Sequence, residues 1–87
     1  MQLDIYCRPE AGQRVSYLAV PAGRPIPPEA TSTEWQQQAR ARELDEDAPA
    51  FEEYGIDAPG PQLREKGYAI TGLARQPRMP AEAQGQA

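Results

Sequence analysis

The sequence contains no histidine and only one cysteine, Cys7, among its 87 residues. The lack of histidine excludes His-dependent nucleophilic triads, His proton shuttles and the commonest metal ligand. A single cysteine cannot form an internal disulfide, and without histidine it cannot complete a structural zinc site. We therefore expect a cytoplasmic protein that needs no cofactor.

Long apolar runs and basic clusters are also missing. The sequence has no stretch of about 20 apolar residues and no secretory leader, so we expect no association with a membrane. The net charge is −4, and the nine Lys and Arg residues are scattered along the chain. Because nucleic-acid binding requires a clustered basic face, no nucleic-acid partner is expected.

Residues 2–20 have the pattern of a β-hairpin, and the rest of the domain must be organised around it. Leu3, Ile5 and Cys7 alternate with polar positions, which is the period of a strand with one buried face. Gly12 can supply the positive φ of a short hairpin loop, and the returning segment is rich in β-branched and aromatic residues. Since an isolated hairpin is marginally stable in water, later segments must cover one of its faces.

The segment 34–44 is rich in Gln, Ala, Arg and Glu, which are strong helix formers. Thr31 and Thr33 precede it at capping-box spacing. These features predict an exposed helix held to the domain by Trp35. Its apolar stripe is poor, however, and residues 39–42 alternate as they would in a strand, so a strand remains an alternative.

Two shorter helices and a final strand are predicted downstream. One helix is capped by Asp47 and ends at Gly55, and another is capped by Asp57 and ends at Gly67. Residues 68–73 then have the composition of a short strand. The predicted fold class is α+β, with a three-stranded antiparallel sheet covered on one face by two or three short helices. The third strand is expected beside strand 1 or strand 2, and the pattern does not choose between them.

The chain is predicted to form one small domain over residues 1–73. Residues 74–87 show no periodicity and are rich in Gln, Pro, Ala and Gly, so they are predicted to form a disordered tail.

The main charge feature is a run of seven acids with no base between residues 43 and 57. An EF-hand interpretation fails, because Ala50 would replace the required glycine and Ile56 the required bidentate glutamate. We interpret the run as a docking surface for a basic protein partner, with a merely solvated acidic face as the alternative. The candidate interaction surface consists of Asp4, Tyr6, Glu43, Asp45, Glu46, Glu52 and Glu53.

Three residues of the first strand have different expected roles. Asp4 is expected to face solvent, since it lies on the polar face of the strand. Tyr6 lies off the apolar face and is the best candidate for an aromatic contact residue. Cys7 continues the apolar face while Arg8 projects to the other side, so a small buried hydrophobe is favoured over a reactive thiol.

The sequence pieces that carry a family resemblance are Leu3-Asp4-Ile5-Tyr6, Arg8-Pro9-Glu10, Ser16-Tyr17-Leu18, Gly23-Arg24-Pro25-Ile26-Pro27, Trp35, Leu44-Asp45 and Glu65-Lys66-Gly67-Tyr68-Ala69-Ile70-Thr71. Over residues 1–73 they resemble a family of short uncharacterised bacterial proteins, a domain of unknown function. The resemblance implies no activity, substrate or catalytic residue. It also does not lead us to expect cysteine at position 7 as a family feature.

Three functions are compatible with these observations. The first is a non-enzymatic interaction or regulatory module that acts through the acidic segment or a sheet edge. The second is a shallow-cleft enzyme or small-molecule binder that uses Asp4, Tyr6, Arg14 and Asp57. The third is a homodimer whose association completes a thin core, since a domain of this size buries only about 60% of its unfolded surface.

Overall fold

The N-terminal hairpin forms as predicted and occupies the centre of the sheet. The computed structural model describes residues 1–28 and 35–78. Within them, β1 (Gln2–Glu10) pairs antiparallel with β2 (Arg14–Pro21). Gly12 in the connecting turn has a φ of +71°, a conformation that glycine adopts without steric cost.

Further elements extend the hairpin into a four-stranded antiparallel sheet. β3 (Gln36–Glu43) pairs with β1, and β4 (Ala50–Phe51) and β5 (Ile56–Asp57) form a separate two-stranded ribbon. The helix α1 (Pro59–Lys66) follows, and β6 (Ala69–Ile70) then pairs with β2. The strand order is therefore β3-β1-β2-β6.

The predicted α+β arrangement of three strands under two or three helices is wrong. The described residues contain a four-stranded sheet, a small ribbon and one α-helix. The predicted strand after residue 67 is present as β6, and the structure places it beside β2. The error comes mainly from one segment, which is a strand and not a helix.

That segment is residues 34–44, which contain β3. Pairing with β1 supplies hydrogen bonds along the backbone and places Ala39 opposite Ile5, where it packs on the core. Tertiary pairing of this kind overrides intrinsic helix propensity. The strand alternative is therefore the correct one, although Ala39 and Arg42 lie opposite Ile5 and Leu3 and so share a face, which a regular alternation over residues 39–42 does not allow. The predicted threonine caps lie outside the described residues.

The helix predicted from Asp47 to Gly55 is not an α-helix. This stretch forms a turn, β4 and a one-turn 3₁₀ helix, Glu52–Tyr54, which ends at Gly55 with a φ of +63°. α1 is confirmed, but Ala58 occupies its N-cap and no side chain caps it, so Asp57 does not have the predicted capping role. No helix in the described part of the chain is long and apolar enough to cross a membrane.

Apolar side chains are buried on both faces of the sheet, and not on one face as predicted. On the first face, which we call the helix side, Leu3, Ile5 and Tyr17 pack with Phe51 and Ile56. The residues that follow β3 cover this face, and Leu63 of α1 packs at its border.

The opposite face has a smaller core. We call it the connector side, because the segment after β2, residues 22–28, is the connector that contributes Ile26 to it. Leu18 and Val20 of β2 pack with Ile26, Trp35 and Tyr68. The indole is only 9% exposed, which confirms that Trp35 is a buried anchor, although it precedes a strand and not a helix. Because both faces are covered, every residue of β2 between its two ends is buried.

Residues 71–78 return along the sheet beside β2. The Thr71 hydroxyl accepts the N–H of Tyr17 at 2.8 Å, and the N–H of Val15 donates to the Pro77 carbonyl at 3.0 Å. The first part of the predicted tail therefore contacts the sheet. The remainder, from residue 79, lies outside the described residues.

Gly55 and Gly67 both adopt a left-handed conformation, but only Gly55 is crowded. A Cβ on Gly55 would overlap the carbonyl oxygen of Arg75, whereas nothing lies within 4 Å of a Cβ on Gly67. We expect Gly55→Ala to lower the free energy of unfolding by about 3 kcal/mol. Gly67→Ala should lower it by about 1 kcal/mol, since only its φ is unfavourable.

Urea denaturation followed by circular dichroism measures both values. The two variants share the backbone penalty, so their difference reports the close approach between Gly55 and Arg75. Equal losses would show that the chain after β6 does not return past Gly55 in solution.

Candidate functional site

The sheet has one long open edge in the part of the chain that the structure describes. It belongs to β3, whose eight residues pair with β1 on one side only. All of them are exposed except Ala39, which is half-buried. An edge strand presents unpaired backbone N–H and C=O groups, which are a template for another strand. The other edge strand, β6, has only two residues.

The pairing of β3 with β1 is irregular at two points. Arg42 lies opposite Leu3 and Ala39 lies opposite Ile5, so two residues of β3 face a single residue of β1. A second shift leaves Gln38 without a partner position. Such bulges bend and twist a strand. A regular strand therefore cannot follow this edge along its whole length.

Asp4 holds the first of these bulges in place. One carboxylate oxygen accepts the N–H of Ala41 at 2.8 Å, and the other accepts the N–H of Gly23 at 3.1 Å. These two bonds lower the pKa of Asp4, which is only 7% exposed. Ala41 has a φ of +49°, an unusual value for alanine that the bond to Asp4 stabilises. The expectation that Asp4 faces solvent is wrong.

The backbone of Glu43 faces away from β1 at the open edge. Gln2 lies opposite Glu43 in the sheet. The Gln2 carbonyl points away from β3 and accepts the N–H of Ala22, the residue that follows β2, at 3.0 Å. The next residue, Leu44, donates its N–H to the Met1 carbonyl at 2.9 Å. In an antiparallel pair, successive residues direct their backbone groups to opposite sides. The N–H and C=O of Glu43 are therefore directed outward.

Arg40 is another residue whose backbone groups face outward, because it follows Ala39, which pairs with Ile5, and successive residues direct these groups to opposite sides. It lies in the bulge opposite Asp4, where the N–H of Ala41 is already bound to the carboxylate. Glu43 lies opposite Gln2 and shares its face, the connector side. Arg40 projects on the same face, because it follows Ala39, which packs on the helix side. The positive charge of Arg40 also helps to lower the pKa of Asp4, which agrees with this placement.

The acids of the second half of the acidic run are paired within the domain. Arg75 binds Asp57 at 2.8 Å and Glu52 at 3.1 Å, and Arg42 binds Glu53 at 2.8 Å. The Arg42 guanidinium also contacts the Tyr54 hydroxyl. These side chains are substantially exposed, so each pair contributes little to stability.

The first half of the run is partly paired as well. The Met1 amino group contacts the carboxylates of Glu43 and Glu46. Asp45 accepts the N–H of Asp47 at 2.9 Å, which closes a local turn. The candidate acidic surface therefore does not form one uncompensated patch, because basic groups from other segments lie among its members.

The four residues of the enzyme hypothesis do not converge on one cleft. Asp4 and Tyr6 lie along β1, while Arg14 lies opposite Glu10 in the sheet, at the turn end of the hairpin. Six residues of strand separate Asp4 from that end, a distance of about 20 Å. Asp57 belongs to the segment that covers the helix side, whereas the Asp4 carboxylate accepts the N–H of Gly23 on the connector side.

A shallow depression of about 320 Å³ lies between the acidic run and α1. Its lining residues are Met1, Glu46, Asp47, Gly60, Leu63 and Arg64. None of these side chains is a thiol or a hydroxyl. Within residues 1–28 and 35–78, no group of three potential His, Cys, Asp or Glu ligands comes together to hold a metal ion.

Cys7 and Tyr6 occupy opposite faces of β1. Cys7 packs at the border of the helix-side core, and burial raises the pKa of its thiol. This placement supports the interpretation of Cys7 as a small hydrophobe, since a protonated thiol is unreactive. Tyr6 is half-buried against the connector-side cluster and is only partly available for contacts.

Arg40 and the neighbouring glutamines are site residues that the sequence pattern does not predict. Their composition favours an exposed helix, whereas they form the open edge of the sheet. The only sequence signal that could have identified them is the alternation over residues 39–42, which is too short to decide between helix and strand.

The chain belongs to a family of unknown function, DUF6139, whose model matches residues 1–77. The family resemblance drawn from the sequence is therefore confirmed. No curated protein and no solved structure matches the chain.

Substitution of Asp4 by asparagine tests its role in holding β3. The amide cannot accept both backbone N–H groups, so we expect Asp4→Asn to lower the free energy of unfolding by about 2 kcal/mol at pH 7. The pKa of Asp4 is lower in the folded state than its ordinary value of 3.8. Its contribution is therefore fully present above that value and lost as the pH falls through the folded pKa.

Denaturant titrations of the parent and the variant between neutral pH and pH 2 measure this contribution. The difference in stability between the two chains should shrink as the pH falls below about 4. A difference that stays constant over this range would contradict the assignment of two charge-assisted hydrogen bonds to Asp4.

Proposed function

We propose that this member of a family of unknown function is a non-enzymatic interaction module that binds through the open edge of β3. One observation carries the proposal: β3 is an eight-residue strand with a partner on one side only in the part of the chain that the structure describes. Extended segments bind to such edges by adding a strand, and backbone hydrogen bonds supply the affinity.

The side chains of β3 support this proposal. Three consecutive glutamines and two arginines are exposed along the strand, so the edge is compatible with water when no partner is bound. The charged residues and the bulges also discourage indiscriminate pairing. These features favour a specific partner whose strand matches the irregular edge.

The other two surfaces give weaker support. The acidic run is partly neutralised by Arg42, Arg75 and the Met1 amino group, which reduces its capacity to attract a basic partner. The enzyme hypothesis requires the carboxylate of Asp4, and both of its oxygens accept backbone N–H groups. We therefore assign binding to the sheet edge.

Site-specific photo-crosslinking tests the proposed surface. A benzophenone-bearing residue is placed at Gln38 on β3, or at Glu65 on α1 as the control, since both positions are exposed. After irradiation in the native host, we expect a discrete adduct from position 38 and none from position 65. The reason is that only the residue on the open edge lies within reach of an added strand.

The masses of the adducts identify what is bound. Adducts from position 65 alone, or equal labelling from both positions, would contradict binding through β3. Thermal unfolding of both labelled chains serves as the folding control.

A further inference from the structure

We propose that the partner at this edge is a second copy of the chain. The two β3 strands pair antiparallel, with Arg40 of each copy opposite Glu43 of the other. This inference rests on the proposed function, since it names the partner of the same edge. It concerns a surface whose backbone groups have no other partner in the part of the chain that the structure describes.

The backbone of β3 allows this pairing. Two identical antiparallel strands are related by a two-fold axis, which here passes between Ala41 and Arg42. Arg40 and Glu43 flank that axis symmetrically, and both direct their backbone N–H and C=O groups away from β1. Each can therefore exchange backbone hydrogen bonds with its counterpart in the other copy.

The bulges also favour a second copy over an unrelated strand. The two-fold axis passes beside Ala41, so the bulge of one copy lies against the same bulge of the other. Two irregular edges with the same spacing can then follow each other. A regular strand does not have this spacing and would lose hydrogen bonds at the bulge.

The charges favour this register over the two registers that are shifted by one residue. It places a guanidinium opposite a carboxylate twice, once on each side of the axis, and opposite charges across strands stabilise a sheet. A shift of one residue in one direction places Arg40 opposite Arg42, and a shift in the other places Arg42 opposite itself. Like charges at directly opposed positions are destabilising.

The faces of the two charged side chains, Arg40 and Glu43, agree with the same register. In a continuous sheet, directly opposed residues project on the same face. Arg40 and Glu43 both project on the connector side, because Arg40 follows Ala39 of the helix side and Glu43 lies opposite Gln2. The resulting dimer has one eight-stranded sheet, in which the order β3-β1-β2-β6 is continued by its two-fold copy.

Charge reversal provides the decisive test. Arg40→Glu and Glu43→Arg each place like charges opposite one another, so each should raise the dimer dissociation constant about tenfold or more in sedimentation-equilibrium measurements. An equimolar mixture of the two variants should regain dimerisation, since every pair across the mixed interface is then unlike. Arg24→Glu and Glu65→Arg are the matched controls, because both residues are exposed outside β3.

Folding of each variant is checked by circular dichroism, since Glu43 also contacts the Met1 amino group. If Glu43→Arg does not fold, Arg40→Glu is compared with Arg40→Gln. Removal of the charge should then weaken the dimer less than its reversal.

Two results of the sedimentation measurements would overturn the second-copy inference. One is a parent chain that stays monomeric at the highest concentration measured, and the other is a dimer that is insensitive to both reversals. A photo-adduct from position 38 to a different protein would also overturn it, yet would leave the β3 edge as the binding surface. No adduct from position 38 and no dimer would remove the proposed function as well.

Discussion

The two hydrogen bonds accepted by the Asp4 carboxylate are the interaction on which the rest of the arrangement depends. One oxygen binds the start of the connector after β2, and the other binds the bulge of β3, so a single side chain of β1 positions both. A carboxylate removed from water needs such replacement bonds, and charge-assisted ones are the strongest available. Because the bulge is held at Ala41, Arg40 and Glu43 occupy the same face of the open edge.

The acidic run shows why charge along a sequence does not define a charged surface. Its members follow one another in the chain, yet Arg42 reaches Glu53 from β3, and Arg75 reaches Glu52 and Asp57 from the segment after β6. The pairs lie at the surface, where each has a small energetic value. These pairs place cations among the acids, so the run does not form a uniformly negative surface. The open backbone edge of β3 is therefore a stronger candidate for binding than the acidic run.

The predictions that succeeded depend on local information. The β1–β2 hairpin, the left-handed turn at Gly12, and a helix ending at Gly67 all follow from short-range periodicity and from the conformational freedom of glycine. The prediction for β3 failed, because its helix-forming residues become a strand only when β1 is beside them. The role of Asp4 could not be read from its place on a polar face, since its partners lie about 19 and 37 residues away.

The amino-acid sequence by itself determined that the chain has a central hairpin, a short helix with a glycine end, no internal disulfide and membership of its family. Only the tertiary structure decided that both faces of the sheet are covered, that residues 36–43 form its edge, and that Asp4 is buried. Periodicity and turn chemistry act over a few residues, whereas an edge strand and a buried carboxylate are defined by partners that are remote in sequence.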